Sequence, residues 1–215
     1  MTKTKCSIVV LISGSGTNLQ ALIDASTALK YEIKTVISNT TDALGLKRAE
    51  HHNIPTKIIE HQSFNSRKEF DQTLSTAIEK INPDLIVLAG FMRILGVEFV
   101  KIFWGRILNI HPSLLPKHPG TNTHKNVLDA GDDIHGATVH FVTEDLDGGP
   151  IIAQESIPVL HNDTVETLAA KILAKEHILY PLVVSWFAHG RLTMKNGRAL
   201  LDNEILPPSG AVINL

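Results

Sequence analysis

The first half of the chain alternates between two patterns of apolar residues. Runs rich in β-branched residues, such as CSIVVLIS at 6–13 and PDLIVLAG at 83–90, are typical of buried strands. Segments with apolar residues at helical spacing follow them, including TNLQALIDAST at 17–27 and SRKEFDQTLSTAIEKIN at 66–82. Such alternation predicts βαβ units with a parallel sheet. We therefore expect a doubly wound, Rossmann-like first half.

The second half changes pattern after a proline-rich loop. HGATVHFVT at 135–143 and PIIAQESIPV at 150–159 each alternate, and the turn DLDGG separates them, which predicts an antiparallel pair. A long amphipathic segment follows, with Asp163 or Thr164 as its N-cap and Gly190 just beyond its end. Asn196-Gly197 predicts a two-residue hairpin. The predicted fold is an α/β, mostly parallel, doubly wound sheet with antiparallel additions. We expect a single domain over 1–215 with halves 1–105 and 106–215.

Charge and cysteine content narrow the class of protein. The 215 residues carry 20 Lys and Arg against 22 Asp and Glu, so no broad basic surface predicts a nucleic-acid partner. The one cysteine, Cys6, cannot form an intramolecular disulfide, which fits a cytoplasmic protein. No run of eighteen apolar residues occurs, so we expect no membrane span.

The loop GSGTN, Gly14 to Asn18, joins the first strand to the first helix. A helix N-terminus at this position favours an anion such as phosphate, although the glycines alone would also suit a tight βα turn. Leu19 replaces the third glycine of G-x-G-x-x-G, and the second strand ends in Ser38 and Asn39 without a ribose-binding acid. A monophosphate ester is therefore a better candidate than a dinucleotide.

Asn109 and His111 stand two residues apart on a predicted strand, so their side chains share one face. An amide donor and a titratable imidazole together can stabilise an oxyanion and move a proton. Asp147, in EDLDGGP, would favour the imidazolium form if it lay near His111. The alternatives are a core histidine beside a structural Asn, and an aspartate serving only its turn.

Two further features bear on ligands. His111, His118, His124, His135 and His140 are close in sequence, but their spacing fits no zinc pattern and we expect no metal. The segment FMRIL, Phe91 to Leu95, could line a pocket for a flat heterocycle, or be ordinary core with one ion-paired Arg.

Five segments together carry a family resemblance. VVLISGSGTNLQALID, IVLAGFMRIL, LNIHPSLLPKHPG, HGATVHFVTEDLDGGPII and EHILYPLVVSWFAHGRL resemble the folate-dependent phosphoribosylglycinamide formyltransferases of purine biosynthesis. The resemblance implies a formyltransferase fold and a cytoplasmic enzyme, monomer or homodimer, whose partners are small molecules. It would transfer the formyl group of 10-formyltetrahydrofolate to the amine of glycinamide ribonucleotide.

The resemblance also implies roles for individual residues. The catalytic residues would be Asn109, His111 and Asp147. Contacts with the ribonucleotide would come from Gly14, Ser15, Gly16, Thr17, Asn18 and Glu176. Contacts with the folate would come from Arg67, Met92, Arg93, Ile94, Leu95, Asn109, His140, Thr143, Glu144, Asp145, Leu146 and Asp147. The chain departs from the family pattern at Ser15, His118 and Asn122.

Three other functions are alternatives to formyl transfer onto glycinamide ribonucleotide. Formyltetrahydrofolate hydrolase shares the catalytic module, but it resembles this chain less because it carries an additional N-terminal domain, whereas the first strand here begins near Cys6. Methionyl-tRNA formyltransferase would require a tRNA-binding domain and a basic surface. A non-catalytic folate-binding or nucleotide-binding module would bind ligand without turnover.

Overall fold

The structure is a computed structural model that describes residues 5–211 and 213. Its strands are β1 Cys6–Ile12, β2 Tyr31–Ser38, β3 Thr56–Ile58, β4 Leu85–Leu88, β5 Ile107–His111, β6 Ile134–Phe141, β7 Ile151–Pro158, β8 Leu192–Lys195, β9 Arg198–Leu201 and β10 Glu204–Ile205. Its α-helices are α1 Thr17–Ser26, α2 Leu44–His51, α3 Arg67–Ile81, α4 Val97–Ile102, α5 Thr123–Ala130 and α6 Val165–Ala188. The described residues form two compact units that divide between Leu108 and Asn109.

The first unit has the predicted βαβ architecture. Its strands follow the order β3-β2-β1-β4, and β1 pairs in parallel with both β2 and β4. Val10 lies between Val36 and Val87 and is completely buried, as a central strand of a parallel sheet requires. Helix α1 contacts α2, and α3 contacts α4.

The second unit contains the antiparallel elements. Strand β6 pairs antiparallel with β7, and α6 packs against both. Thr164 caps α6 by accepting a hydrogen bond from the backbone N–H of Thr167, and the helix continues through Pro181 to Ala188. A separate three-stranded sheet has the order β10-β9-β8, with Asn196 and Gly197 both at positive φ in the tight hairpin.

The predicted fold class is confirmed. The seven strands β1 to β7 have the order β3-β2-β1-β4-β5-β6-β7, mostly parallel with one antiparallel edge pair. The sequence patterns did not predict α4, α5 or β10. The assignment of all 215 residues to one domain stays a prediction. No helix in the described ranges is long and apolar enough to cross a membrane.

Candidate active site

The second unit brings His111 and Asp147 together. His111 ends β5, and its Nδ1 lies 3.5 Å from Oδ2 of Asp147, which follows β6. Both side chains are nearly buried, at 7% and 8% exposure, so electrostatic interaction between them is poorly screened by water. His111 Nε2 lies 3.0 Å from the carbonyl oxygen of His118. A carbonyl only accepts, so Nε2 carries a proton and Nδ1 is the nitrogen that faces the carboxylate.

The turn that carries Asp147 depends on its backbone conformation. Asp147 has a φ of 51°, which aspartate tolerates better than most residues. Its Oδ2 accepts a hydrogen bond of 2.8 Å from the backbone N–H of Gly120. At Gly149 any Cβ would overlap the carbonyl oxygen of Phe141, so the second glycine of DLDGG is required by close backbone approach. The conformation of the turn and the Gly120 N–H therefore position the carboxylate together.

The Asn109 side chain is oriented by a hydrogen bond to His140. Its Nδ2 is 3.1 Å from His140 Nε2, while His140 Nδ1 is 2.9 Å from the carbonyl oxygen of Phe141. His140 Nδ1 must therefore donate, and Nε2 accepts from the amide. Burial lowers the pKa of His140, more than the Phe141 carbonyl and Asp147 raise it. A neutral His140 thus orients the Asn109 amide and leaves its second N–H for another acceptor.

A buried polar network supports the loop between β5 and His118. Thr138 Oγ1 donates to the carbonyl of Ser113 at 2.6 Å and accepts from the N–H of Leu115 at 3.0 Å. Gln154 Nε2 donates to both the Leu115 carbonyl and Thr138 Oγ1. Strands β6 and β7 therefore hold the loop through side chains that reach its backbone.

The first unit contains a separate pocket around the GSGTN loop. A cavity of about 260 Å³ is lined by Ser13 to Asn18 together with Ala89, Gly90 and Met92. Gly16 has a φ of 69° directly before α1, and a Cβ there would lie 2.5 Å from the Cα of Gly45. The N-terminus of α1 directs backbone N–H groups into a site that only glycine allows at this position. This arrangement suits a phosphate group.

The segment after β4 lies at the same sheet edge as the GSGTN loop. Ser13 donates its N–H to the Gly90 carbonyl at 3.1 Å, and its Oγ accepts from the N–H of Met92 at 2.7 Å. Met92 is 71% exposed and Ile94 is half exposed, whereas Leu95 is buried. Two exposed apolar side chains beside a small polar cavity form a surface that an aromatic ligand can cover.

Comparison with known proteins identifies the family. Residues 6–184 match the family described as "Formyl transferase". The chain belongs to the formyl transferase family. It is 50% identical over 206 residues to the Escherichia coli protein named phosphoribosylglycinamide formyltransferase, covering 95% of this chain and 97% of that protein.

Solved structures and a longer relative agree with this family assignment. A phosphoribosylglycinamide formyltransferase from Coxiella burnetii, solved with CHES, has a TM-score of 0.92 and 54% identity, covering 96% of this chain and 98% of that one. The human trifunctional purine biosynthetic protein adenosine-3 is 44% identical over 199 residues, which is 91% of this chain and 20% of that protein. The formyl transferase fold therefore also occurs within larger proteins.

The structure places the predicted formyl transferase residues in several groups. Asn109, His111, His140 and Asp147 are mutually close in the second unit. Leu146 is exposed at the turn and Glu176 is buried on α6. In the first unit, Arg67 Nε lies 3.9 Å from Asp71 Oδ2 at the start of α3. The remaining predicted contacts lie on the β1–α1 loop, on the segment after β4, and on the turn Thr143 to Leu146. Their ligand contacts stay predictions.

Two backbone groups and one carboxylate at the site were not predicted from the sequence. The carbonyl of His118 and the N–H of Gly120 hold His111 and Asp147, and backbone groups leave no signal in side-chain patterns. Asp132 binds the side chain of His118 at 2.7 Å, fourteen positions away. In the described ranges no group of three or more His, Cys, Asp or Glu is arranged to hold a metal ion.

Proposed function

We propose that this protein transfers the formyl group of 10-formyltetrahydrofolate to the amine of N1-(5-phosphoribosyl)glycinamide, in purine biosynthesis. The observation that carries the proposal is the cluster of His111, Asp147, Asn109 and His140 in a chain half-identical to the Escherichia coli enzyme. The products are formylglycinamide ribonucleotide and tetrahydrofolate. We also propose that the reaction takes place in the cytoplasm, which the relatives' role in purine biosynthesis supports.

The reaction requires an oxyanion to be stabilised and a proton to be moved. The amine attacks the formyl carbon, a new N–C bond forms, the bond from that carbon to the folate nitrogen breaks, and one proton passes from the amine to that nitrogen. Asn109 donates its second amide N–H to the oxyanion, since the first is bound to His140. His111, paired with Asp147, stabilises the same charge, and the pair assists the proton transfer.

The two substrates are bound by different segments in this proposal. The β1–α1 loop, Gly14 to Asn18, binds the phosphate of the ribonucleotide through backbone N–H groups, and Glu176 contacts its ribose. The folate contacts Arg67 and the segment Met92 to Leu95, whose exposed apolar side chains support this role. His140 and the turn Thr143 to Asp147 complete the folate contacts.

The test is an assay with and without the ribonucleotide. We expect purified protein to convert 10-formyltetrahydrofolate only when glycinamide ribonucleotide is present, and His111→Ala to lower kcat about 10²–10³-fold. His161→Ala is the matched control, because this histidine is exposed on a turn of the same unit. Equal conversion without the ribonucleotide would instead show formyltetrahydrofolate hydrolase. Full turnover by a folded His111→Ala variant would reject the catalytic assignment.

A further inference from the structure

One three-residue segment contacts both members of the His111–Asp147 pair. The carbonyl of His118 accepts from His111 Nε2 at 3.0 Å, and the N–H of Gly120 donates to Asp147 Oδ2 at 2.8 Å. The segment His118 to Gly120 therefore sets the position of the imidazole and of the carboxylate together. A shift of this segment would alter the distance and orientation between them.

The segment does not hold this conformation through ordinary backbone preference. His118 has a φ of 52°, in the left-handed region that a side chain with a Cβ rarely adopts, and Gly120 follows at 78°. Such a conformation persists only when surrounding contacts determine it. One contact that can determine it is made by the His118 side chain, whose Nε2 lies 2.7 Å from Asp132 Oδ2.

Asp132 is well placed to act as that anchor. Its backbone N–H donates to the carbonyl of Val127 at 3.2 Å, directly after α5. Its second oxygen accepts from Lys117 Nζ at 3.0 Å, so one carboxylate binds two consecutive side chains. The His118 and Asp132 side chains are only about one-fifth exposed, whereas Lys117 is largely in solvent. The hydrogen bonds from His118 and Lys117 lower the pKa of Asp132, so its carboxylate is ionised at pH 7.

We propose that Asp132 is a positioning residue for the proposed formyl transfer: by binding the His118 side chain, it fixes the carbonyl of His118 and the N–H of Gly120 that hold His111 and Asp147. Asp132 touches neither substrate in this proposal. Its effect reaches the reaction through His111, and the inference rests on the proposed function in that respect.

The experiment compares four variants by kinetics and by NMR. Asp132→Ala should lower kcat about 10-fold to 100-fold with little change in either KM, because a small misplacement of a catalytic group is costly. Asp132→Asn keeps an oxygen acceptor for His118 and should recover most of kcat. His118→Asn tolerates positive φ but cannot reach Asp132, and should resemble Asp132→Ala. Asp133→Ala is the matched control, since the neighbouring carboxylate is exposed and removing it alters charge equally.

A spectroscopic readout separates positioning from general loss of stability. In protein labelled with ¹⁵N-histidine, the Nε2–H proton of His111 should be protected from exchange in wild type and Asp133→Ala, and should broaden in Asp132→Ala and His118→Asn. If wild type forms no formylated ribonucleotide but this resonance still depends on Asp132, the proposed function fails while the positioning role stands. Unchanged kcat and an unchanged resonance in folded Asp132→Ala and His118→Asn would overturn the inference.

Discussion

Asn109 Nδ2 lies 3.1 Å from His140 Nε2, and the other nitrogen of that imidazole is bound to the Phe141 carbonyl. The two contacts assign one tautomer, in which a neutral histidine accepts from the amide. His140 is 2% exposed, so its lone pair has no access to bulk water and must be satisfied by protein. Asn109 is therefore oriented before any substrate binds, as oxyanion stabilisation requires.

Removing the His140 side chain should leave the Asn109 amide in place but no longer oriented. We expect His140→Ala to lower kcat about 10-fold, which corresponds to the loss of one hydrogen bond of about 1 kcal/mol, while KM for the ribonucleotide changes little. Because burial lowers the pKa of His140, acid should disrupt this contact only below the usual titration range of histidine. Steady-state kinetics from pH 5 to 8 measure both effects. Wild-type kcat in folded His140→Ala would show that Asn109 needs no such support.

Two glycines of the β1–α1 loop, Gly14 and Gly16, should differ in their importance for phosphate binding. Gly16 has positive φ and its Cβ would meet Gly45, whereas a Cβ at Gly14 meets nothing within 4 Å. We expect Gly16→Ala to raise KM for the ribonucleotide at least about 10-fold, because both strain and contact displace the N–H groups that bind phosphate. Gly14→Ala should cause a smaller rise. Equal effects of the two substitutions would mean that the shape of the loop at Gly16 is unimportant.

The buried carboxylate of Asp71 should lower the stability of the fold at high pH and favour binding of 10-formyltetrahydrofolate. Its side chain is almost buried, Oδ2 accepts from the N–H of Gly96 at 2.8 Å, and Oδ1 has no hydrogen-bond partner among the described residues. Burial raises its pKa, although the Gly96 N–H and then Arg67 and Arg93 oppose the shift. A folded pKa above the unfolded value gives stability that is present at low pH and is lost as pH rises through the folded pKa.

The Asp71→Asn variant tests both effects, on stability and on binding of 10-formyltetrahydrofolate. The amide still accepts from Gly96 but carries no buried charge, so we expect stability at pH 8 equal to or above that of wild type. We also expect KM for 10-formyltetrahydrofolate to rise several-fold, since the carboxylate charge that attracts Arg67 and Arg93 is gone. Urea unfolding at pH 5 and pH 8, with Asp71→Ala as the comparison that loses the hydrogen bond, measures the first effect. If Asp71→Asn destabilised the protein at pH 8 as much as Asp71→Ala does, the expected effect on stability would be wrong.

The residues that sequence could predict are those whose signal is local. Ser66 caps α3 by accepting from Glu69, and Asn196-Gly197 makes its hairpin, because each uses chemistry within four positions. Asn109 and His111 were found because a period of two puts them on one face. The support of the site was not predictable in this way. It consists of backbone groups at His118 and Gly120 and a carboxylate at Asp132, joined to their partners over 7 to 27 positions.

A buried histidine pair should make the protein sensitive to acid. His135 is 1% exposed, its Nε2 lies 2.9 Å from His124 Nδ1, and its own Nδ1 has no hydrogen-bond partner among the described residues. Burial, and then the neighbouring His124, lowers the pKa of His135 to about 4. Burial and His111 lower that of His124 as well. Both rings are therefore neutral at pH 7.

A folded pKa below the unfolded value means that the unfolded chain binds the proton more readily. The stability from His135 is therefore complete above pH 6.5 or so and is lost as pH falls toward about 4. For His135 the loss amounts to at most about 3.4 kcal/mol, at 1.36 kcal/mol per pH unit. His135→Gln keeps a side-chain donor for His124 without a titrating group. We expect its free energy of unfolding, from urea titrations between pH 4 and 7, to fall less steeply than that of wild type. The exposed His161→Gln should keep the wild-type slope, and an equal slope in His135→Gln would show that acid acts elsewhere.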